Sequence, residues 1–136
     1  MIDEALYYLL AHHAALKAYV KARIYPMVIP QNAAMPCVTY QQISGVPQHT
    51  SDGPFGTRQA SFQIDCWSKT PKQAHDIAEV IRKLLDGYQD TSNGTYIQAA
   101  FMTDEGDTIN TVAGADELTR FGKRLDFEIW FCESTS

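Results

Sequence analysis

The most regular stretch of the chain is RLDFEIWFC, residues 124–132. Apolar side chains occupy every second position there, at Leu125, Phe127, Ile129 and Phe131. Successive side chains of a β-strand point to opposite faces of a sheet, so this alternation predicts a strand that buries one face and exposes the other. The exposed face of that strand would carry Asp126, Glu128 and Trp130.

A second stretch, residues 60–69, alternates in the same way. Its predicted inner face carries Phe62, Ile64 and Cys66, and its predicted outer face carries Gln63, Asp65 and Trp67. Residues 37–43 and 96–102 repeat the pattern over shorter lengths. These four segments predict the four strands of one sheet.

Two other segments have the period of an amphipathic helix. Residues 2–20 place apolar side chains at three- and four-residue spacing, which predicts one helix with a buried stripe. In the second segment Thr70 is placed as the N-cap and Pro71 at the first helical position. Gln73 would complete a capping box, and Gly87 would form the left-handed C-terminal cap.

The order of elements is therefore helix, strand, strand, helix, strand, strand. We predict a single α+β domain over residues 1–136, with an antiparallel four-stranded sheet and both helices packed on one of its faces. Residues 24–35 are predicted as an extended connector because they contain Pro26 and Pro30. Residues 44–59 and 103–118 are predicted as long loops, which are usually mobile or functional.

Composition excludes several classes of protein. The chain has 136 residues, 45% of them hydrophobic and 20% charged, which is typical of a globular domain. Its net charge of −5 disfavours electrostatic nucleic-acid binding, so we predict no sequence-specific contact with DNA or RNA. No apolar run approaches the ~20 residues that span a bilayer, so no membrane partner is predicted. The first residues are acidic where a secretory signal would be basic, so we expect assembly in the cytoplasm.

The chain carries no recognisable metal, cofactor or nucleophile motif. Its three cysteines are widely spaced and odd in number, which disfavours both a zinc site and a disulfide framework. The run Asp104-Glu105-Gly106-Asp107 lacks the ligand spacing of a calcium loop. No serine or cysteine lies in a nucleophile elbow. We therefore predict no metal and no cofactor.

Paired carboxylates are the one candidate for catalysis. Asp65 and Glu128 are predicted on the same outer sheet face, flanked by Trp67 and Trp130. Carboxylates between aromatic side chains occur in enzymes that hydrolyse sugars, where the acid and the base lie roughly 5–10 Å apart. The alternative is a sheet face that meets water or a partner protein, because strands commonly place carboxylates on such faces.

Two features of the predicted sheet favour self-association. An open sheet has two edges whose backbone groups must be covered or paired. The outer face would also expose two large tryptophans, and exposed apolar patches commonly mark a contact surface. Our interface candidates are Trp67, Trp130, Asp65 and Glu128, together with Phe55 in the predicted loop 44–59.

Four short stretches together resemble a known family. They are RIYP at residues 23–26, PQNAAMPCVTY at 30–40, SGVP at 44–47 and ASFQIDCWSKT at 60–70. In order and spacing they resemble the tail completion family of tailed phages, over about the first 90 residues of this chain. The last third is similar mainly in its final strand.

The resemblance implies a structural virion protein without enzymatic activity. Members of this family terminate the tail tube of a phage, prophage or gene-transfer particle and join the tail to the head. They are similar in forming rings, usually of six copies, between the tail tube protein and the head–tail connector. The expected location is the neck or tail of the virion.

A ring through which DNA passes would benefit from an acidic lumen, because like charges keep DNA from adhering to the wall. We therefore predict that Asp104, Glu105 and Asp107 face the channel. Three alternatives remain at this stage: a head-side connector or minor tail protein, a small carboxylate-dependent hydrolase that uses Asp65 and Glu128, and a plain ligand-binding domain.

Overall fold

The computed structural model describes residues 2–46, 58–112 and 118–133. Its three helices are α1 (Ile2–His12), α2 (Ala14–Val20) and α3 (Pro71–Leu85). Its strands are β1 (Ile24–Pro26), β2 (Cys37–Val46), β3 (Arg58–Ser68), β4 (Asp90–Ser92), β5 (Thr95–Val112) and β6 (Leu118–Glu133). The six strands form one sheet in the order β1-β2-β3-β6-β5-β4. Neighbouring strands are antiparallel except β1, which runs parallel to β2.

The predicted four-stranded antiparallel sheet with two helices is wrong, because the structure has a mixed six-stranded sheet and three helices. Both additional strands are three residues long, which is too short for an alternating pattern to be recognised. One of them, β1, lies within the segment predicted as a connector. The predicted single N-terminal helix is interrupted at His13, whose backbone is extended (φ −82°, ψ 115°).

The predicted acidic loop 103–118 is also wrong over most of its length. Strand β5 continues to Val112, and its pairing with β6 runs from Thr95 opposite Glu133 to Val112 opposite Leu118. Strand β3 ends at Ser68, opposite Phe121, so the far end of this hairpin extends past it. We call residues 103–112 and 118–124 the arm. Much of the arm is solvent-exposed, so its sequence lacks the apolar alternation that identifies a half-buried strand.

The predicted loop 44–59 is likewise shorter than expected. Residues 44–46 continue β2 and residues 58–59 begin β3, with Val46 opposite Gln59. Residues 47–57 lie outside the described part of the chain. The register between β2 and β3 shifts between Gln42 and Ser44, which is a β-bulge.

The core lies between the helices and one face of the sheet. The fully buried apolar side chains of β3 and β6 are those that the alternation predicts, and they include Phe62, Ile64, Leu125, Phe127 and Ile129. The helices cover them with Leu6, Leu10, Leu16, Ile77 and Ile81. Burying each of these side chains contributes about 1.5–3 kcal/mol.

Helix α3 begins as predicted, with a modification. The Gln73 amide N–H donates to Thr70 Oγ1 at 3.3 Å, and Pro71 follows the cap. The Gln73 side chain does not return to the Thr70 amide; it accepts a hydrogen bond from the Ser68 hydroxyl, whose oxygen accepts from the Thr70 N–H at 3.3 Å. Gly87 has a φ of +86°, which supports the predicted left-handed turn after the helix.

On the face of the sheet opposite the helices, the Trp67 ring packs against a glycine. Its indole N–H donates to Thr39 Oγ1 at 3.1 Å, and the residue is only 8% exposed. Gly122 is its cross-strand partner on β6. A Cβ at Gly122 would lie 2.7 Å from Trp67 Cζ3 and 2.9 Å from Cε3, so only glycine leaves room for the ring.

We expect Gly122→Ala to lower the free energy of unfolding by about 1–3 kcal/mol, because the added methyl forces a buried ring out of its position. Gly106→Ala on β5 is the matched control. There the new Cβ would meet the end of the Arg124 side chain at 3.1 Å, and that side chain can move. Urea unfolding of both variants checks this prediction, which fails if Gly122→Ala is as stable as Gly106→Ala.

Candidate functional site

The uncovered sheet face carries the carboxylates that the sequence singles out, but at positions far apart. Asp65 lies opposite Arg124 in the β3–β6 ladder, whereas Glu128 lies opposite Ser61. Four residues along a strand span about 13 Å. Acid and base in glycoside hydrolysis are separated by roughly 5–10 Å, so this spacing does not favour the predicted hydrolytic pair.

Asp65 belongs to a charge network inside the subunit. Gln63 Nε2 donates to Asp65 Oδ2 at 2.9 Å, and the residue is only 9% exposed. Burial raises the pKa of Asp65, and the neighbouring charge of Asp126 raises it further, while the Gln63 hydrogen bond and Arg124 lower it. Arg124 Nη2 in turn donates to Asp104 Oδ2 at 3.0 Å. Asp65 is therefore engaged within the fold.

The two tryptophans do not form the exposed aromatic pair that was predicted. Trp67 is buried, so the expectation that it is exposed on a free face is wrong, whereas Trp130 is half-buried. Trp67 and Asp65 instead line a cavity of about 320 Å³ together with Met27, Val28 and Ile29, among others. The remaining interface candidate of this group, Phe55, lies outside the described residues.

The apolar surface of this region lies next to the cavity. Met27 is 69% exposed and Val28 is 71% exposed, directly after β1. Sequence reasoning missed them because they were assigned to a connector. The three consecutive apolar residues 27–29 after Pro26 are the signal that could have found them.

A second cavity, of about 520 Å³, lies beside α1. Tyr7 and Tyr40 line it with ring centroids 6.2 Å apart, and Tyr8 stacks on His12 at 3.9 Å. Burial raises the pKa of Tyr40, and the charge of Asp3 raises it further. Half-exposed tyrosines are typical of protein contact surfaces, and the adjacent Tyr7-Tyr8 pair is the sequence signal for this groove.

The acidic residues predicted to face a channel lie on the arm. Asp104 pairs with Arg124, and Asp107 Oδ1 lies 3.2 Å from Lys123 Nζ. All three carboxylates, including that of Glu105, are exposed. Side chains alternate along a strand, so Asp104 points to the opposite face of the arm from Glu105 and Asp107.

Strands β2 and β5 each have one side along which only part of the backbone pairs with another strand. Strand β1 pairs only with Val38–Tyr40, so β2 has no described partner on that side from Gln41 onward. Strand β4 pairs only with Thr95–Ile97 of β5. Beyond it, the Ala100 carbonyl accepts from Gly87, and the Met102 amide donates to Asp86 Oδ1.

The described residues contain no group of three or more histidine, cysteine, aspartate or glutamate side chains that could hold a metal ion. Cys37 and Cys66 are buried free thiols, and burial raises the pKa of Cys37 to about 11. Among the described helices, none is long and apolar enough to cross a bilayer.

Comparison with known proteins gives a family match and structural similarities. Residues 4–130 match the family described as "Tail completion protein gp17". A chain of a solved structure described as "Virion of native gene transfer agent (GTA) particle" is similar in fold, with a TM-score of 0.71 and 19% sequence identity. That match covers 96% of this chain and 94% of the other. No curated protein sequence matches.

The pKa of Asp65 predicts a pH dependence of stability. Because its pKa is raised above the usual value of a carboxyl in the folded state, ionisation of Asp65 opposes folding at neutral pH and ceases to do so as the pH falls. We expect Asp65→Asn to be at least as stable as the wild type at pH 7. The difference should shrink as the pH approaches about 4, where the unfolded carboxyl also takes up its proton.

Urea unfolding at several pH values measures this difference, with Asp107→Asn as an exposed control. A variant that is less stable than the wild type at pH 7 would mean that the attraction of Arg124 outweighs the cost of burying the Asp65 carboxylate.

Proposed function

The chain belongs to the tail completion protein gp17 family and is a structural protein of a phage-like virion tail, and from this we propose that it forms a ring that ends the tail tube and joins the tail to the head. The ring contains six copies in this proposal, as the family resemblance implies. Its partners are further copies of the chain, the tail tube protein and the head–tail connector. The protein acts by shape and contact and not by catalysis.

The observation that carries the ring proposal is the position of the uncovered edges. The edge of β2 and the edge of β5 lie on opposite sides of the sheet. Two different surfaces on opposite sides of a subunit allow a head-to-tail contact, and such contacts close into rings when the rotation fits. A two-fold dimer would instead use one surface twice.

The uncovered sheet face and the apolar residues next to it supply candidate contacts with neighbouring proteins. Trp130 and Glu128 are partly exposed there, and Met27 and Val28 are more so. We keep Trp130, Glu128 and Phe55 as interface candidates. Trp67 and Asp65 contribute by shaping the surface from below, since both are buried within the subunit.

The arm supplies the candidate lining of the channel. Its exposed carboxylates would repel DNA in transit, as a net charge of −5 also favours. Because Asp104 points away from Glu105 and Asp107, a channel on one side of the arm meets one set or the other. The ion pairs of Asp104 and Asp107 leave Glu105 as the strongest candidate.

Deleting the gene in a particle-producing host tests the function. We expect tails of uncontrolled length, or finished tails that never attach to heads, and no DNA-delivering particles. Electron microscopy of the particles measures both outcomes, and the wild-type gene supplied from a plasmid is the control. Normal tails joined to filled heads in the deletion strain would overturn the proposed function.

Charge reversal on the arm tests the channel. We expect Glu105→Lys to leave particle numbers unchanged while DNA delivery falls, because a positive ring would hold the passing phosphates. Glu105→Gln should have a smaller effect, since it removes a charge without adding one. If Asp104→Lys impairs delivery and Glu105→Lys does not, the opposite face of the arm lines the channel; if neither does, the arm lies outside it.

A further inference from the structure

The free edge of β2 has a β-bulge between Gln42 and Ser44 but lacks two other devices that normally protect an exposed strand. Residues 41–46, QQISGV, contain no charge and no proline. Strand β1 stops just before them, where the Met27 N–H donates to the Tyr40 carbonyl at 2.9 Å. Ile43 is 50% exposed on this edge. Uncharged edges with exposed β-branched side chains are the ones that pair with another chain.

The free edge of β5 begins where the contacts with β4 and Asp86 end. From Thr103 onward no strand of the described chain pairs with this side of β5. Ile109 is 67% exposed there. The carboxylates of Asp104 and Asp107 are engaged with Arg124 and Lys123 of β6, so part of the negative charge of this edge is already balanced.

The directions of the strands make these two edges compatible. Strands β2, β3, β6 and β5 are successively antiparallel, so β2 and β5 run in opposite directions within one subunit. A second copy that continues the sheet past β5 therefore presents its β2 antiparallel to that strand. Antiparallel addition of a strand to a free edge supplies main-chain hydrogen bonds without rearranging either subunit.

The two free segments are displaced from each other along the strands. Following the pairing across the sheet, Ser44 of β2 is at the same height as Phe101 of β5. The intermediate partners are Ser61 of β3 and Glu128 of β6. The free part of β5, in contrast, is centred near Asp107. The displacement is about six residues, or about 20 Å at 3.3 Å per residue. A ring has no net rise from copy to copy, so pairing of these segments requires strands that are inclined to the ring axis.

We propose that residues 41–46 of β2 in one copy pair, antiparallel, with the free edge of β5 (residues 103–112) in the next copy. This inference rests on the proposed ring and names the contact that builds it. The sheets of all copies then join into one continuous sheet, and Ile43 and Ile109 are buried at each junction. Strands β1 and β4 limit the length of the contact. Within each subunit, β1 covers residues 38–40 of β2 and β4 covers residues 95–97 of β5.

Cysteine cross-linking in assembled particles tests the contact. We would introduce Ile43→Cys and Ile109→Cys together in a Cys132→Ser background and treat purified particles with a short bis-maleimide. A head-to-tail contact links different positions of successive copies, so the double variant should give a ladder that extends beyond the dimer. Each single variant can reach only the dimer. The control pair is Ile43→Cys with Thr91→Cys, which places the second thiol on β4.

The outcomes separate this contact from the proposed function. A ladder in the double variant alone supports the pairing. Particles that contain the protein but give no ladder, or give one equally with the Thr91 control, overturn the pairing and leave the function standing. Absence of the wild-type protein from particles overturns the proposed function, and the pairing with it.

Charge placed on the edges gives an independent readout. We expect Ile43→Lys and Ile109→Lys each to reduce the amount of protein in particles at least tenfold, which corresponds to ~1.4 kcal/mol per contact. Ala18→Lys is the control, because Ala18 is exposed on helix α2 and lies on neither edge. Circular dichroism shows whether each variant is folded. Folded edge variants that enter particles at the wild-type level would overturn the pairing.

Discussion

The pairing of β3 with β6 at the centre of the sheet is the constraint on which the rest of the structure depends. Their register runs without a shift from Arg58 opposite Phe131 to Ser68 opposite Phe121. An uninterrupted register keeps all the apolar side chains of both strands on one face, and a slip by one residue would turn them to the other face. The helices can cover the sheet only because this face is continuous.

The same register determines what the opposite face can do. It places Asp65 beside Arg124 and Trp67 over Gly122, so two side chains that look like surface features in the sequence are held inside the subunit. It also separates Glu128 from Asp65 by four residues along the strands, about 13 Å, which does not favour joint catalysis. What remains accessible includes free strand edges, half-exposed aromatic rings and the apolar residues after β1, which are features of protein contact surfaces.

Sequence patterns predicted the strands and helices that pack one face in the core and leave the other face outside it. Residues 60–68 and 124–132 alternate because one face of each strand packs in the core, and the cap at Thr70 marks the start of α3 by local hydrogen bonding. The arm was missed because much of it is exposed, and β1 and β4 because three residues carry no period. The burial of Trp67 depends on a glycine 55 positions away on another strand, a contact that only the folded register reveals.

The far end of the arm has a mechanical consequence. Past the Ser68–Phe121 pair, toward the tip, each of its two strands pairs only with the other among the described residues. A two-stranded ribbon resists bending less than a wide sheet and takes a stronger twist. The subunit therefore combines a stiff body with a flexible extension. If the surface of a neighbour is tilted or slightly displaced, the ribbon can bend to keep contact with it while the packed interior keeps its shape.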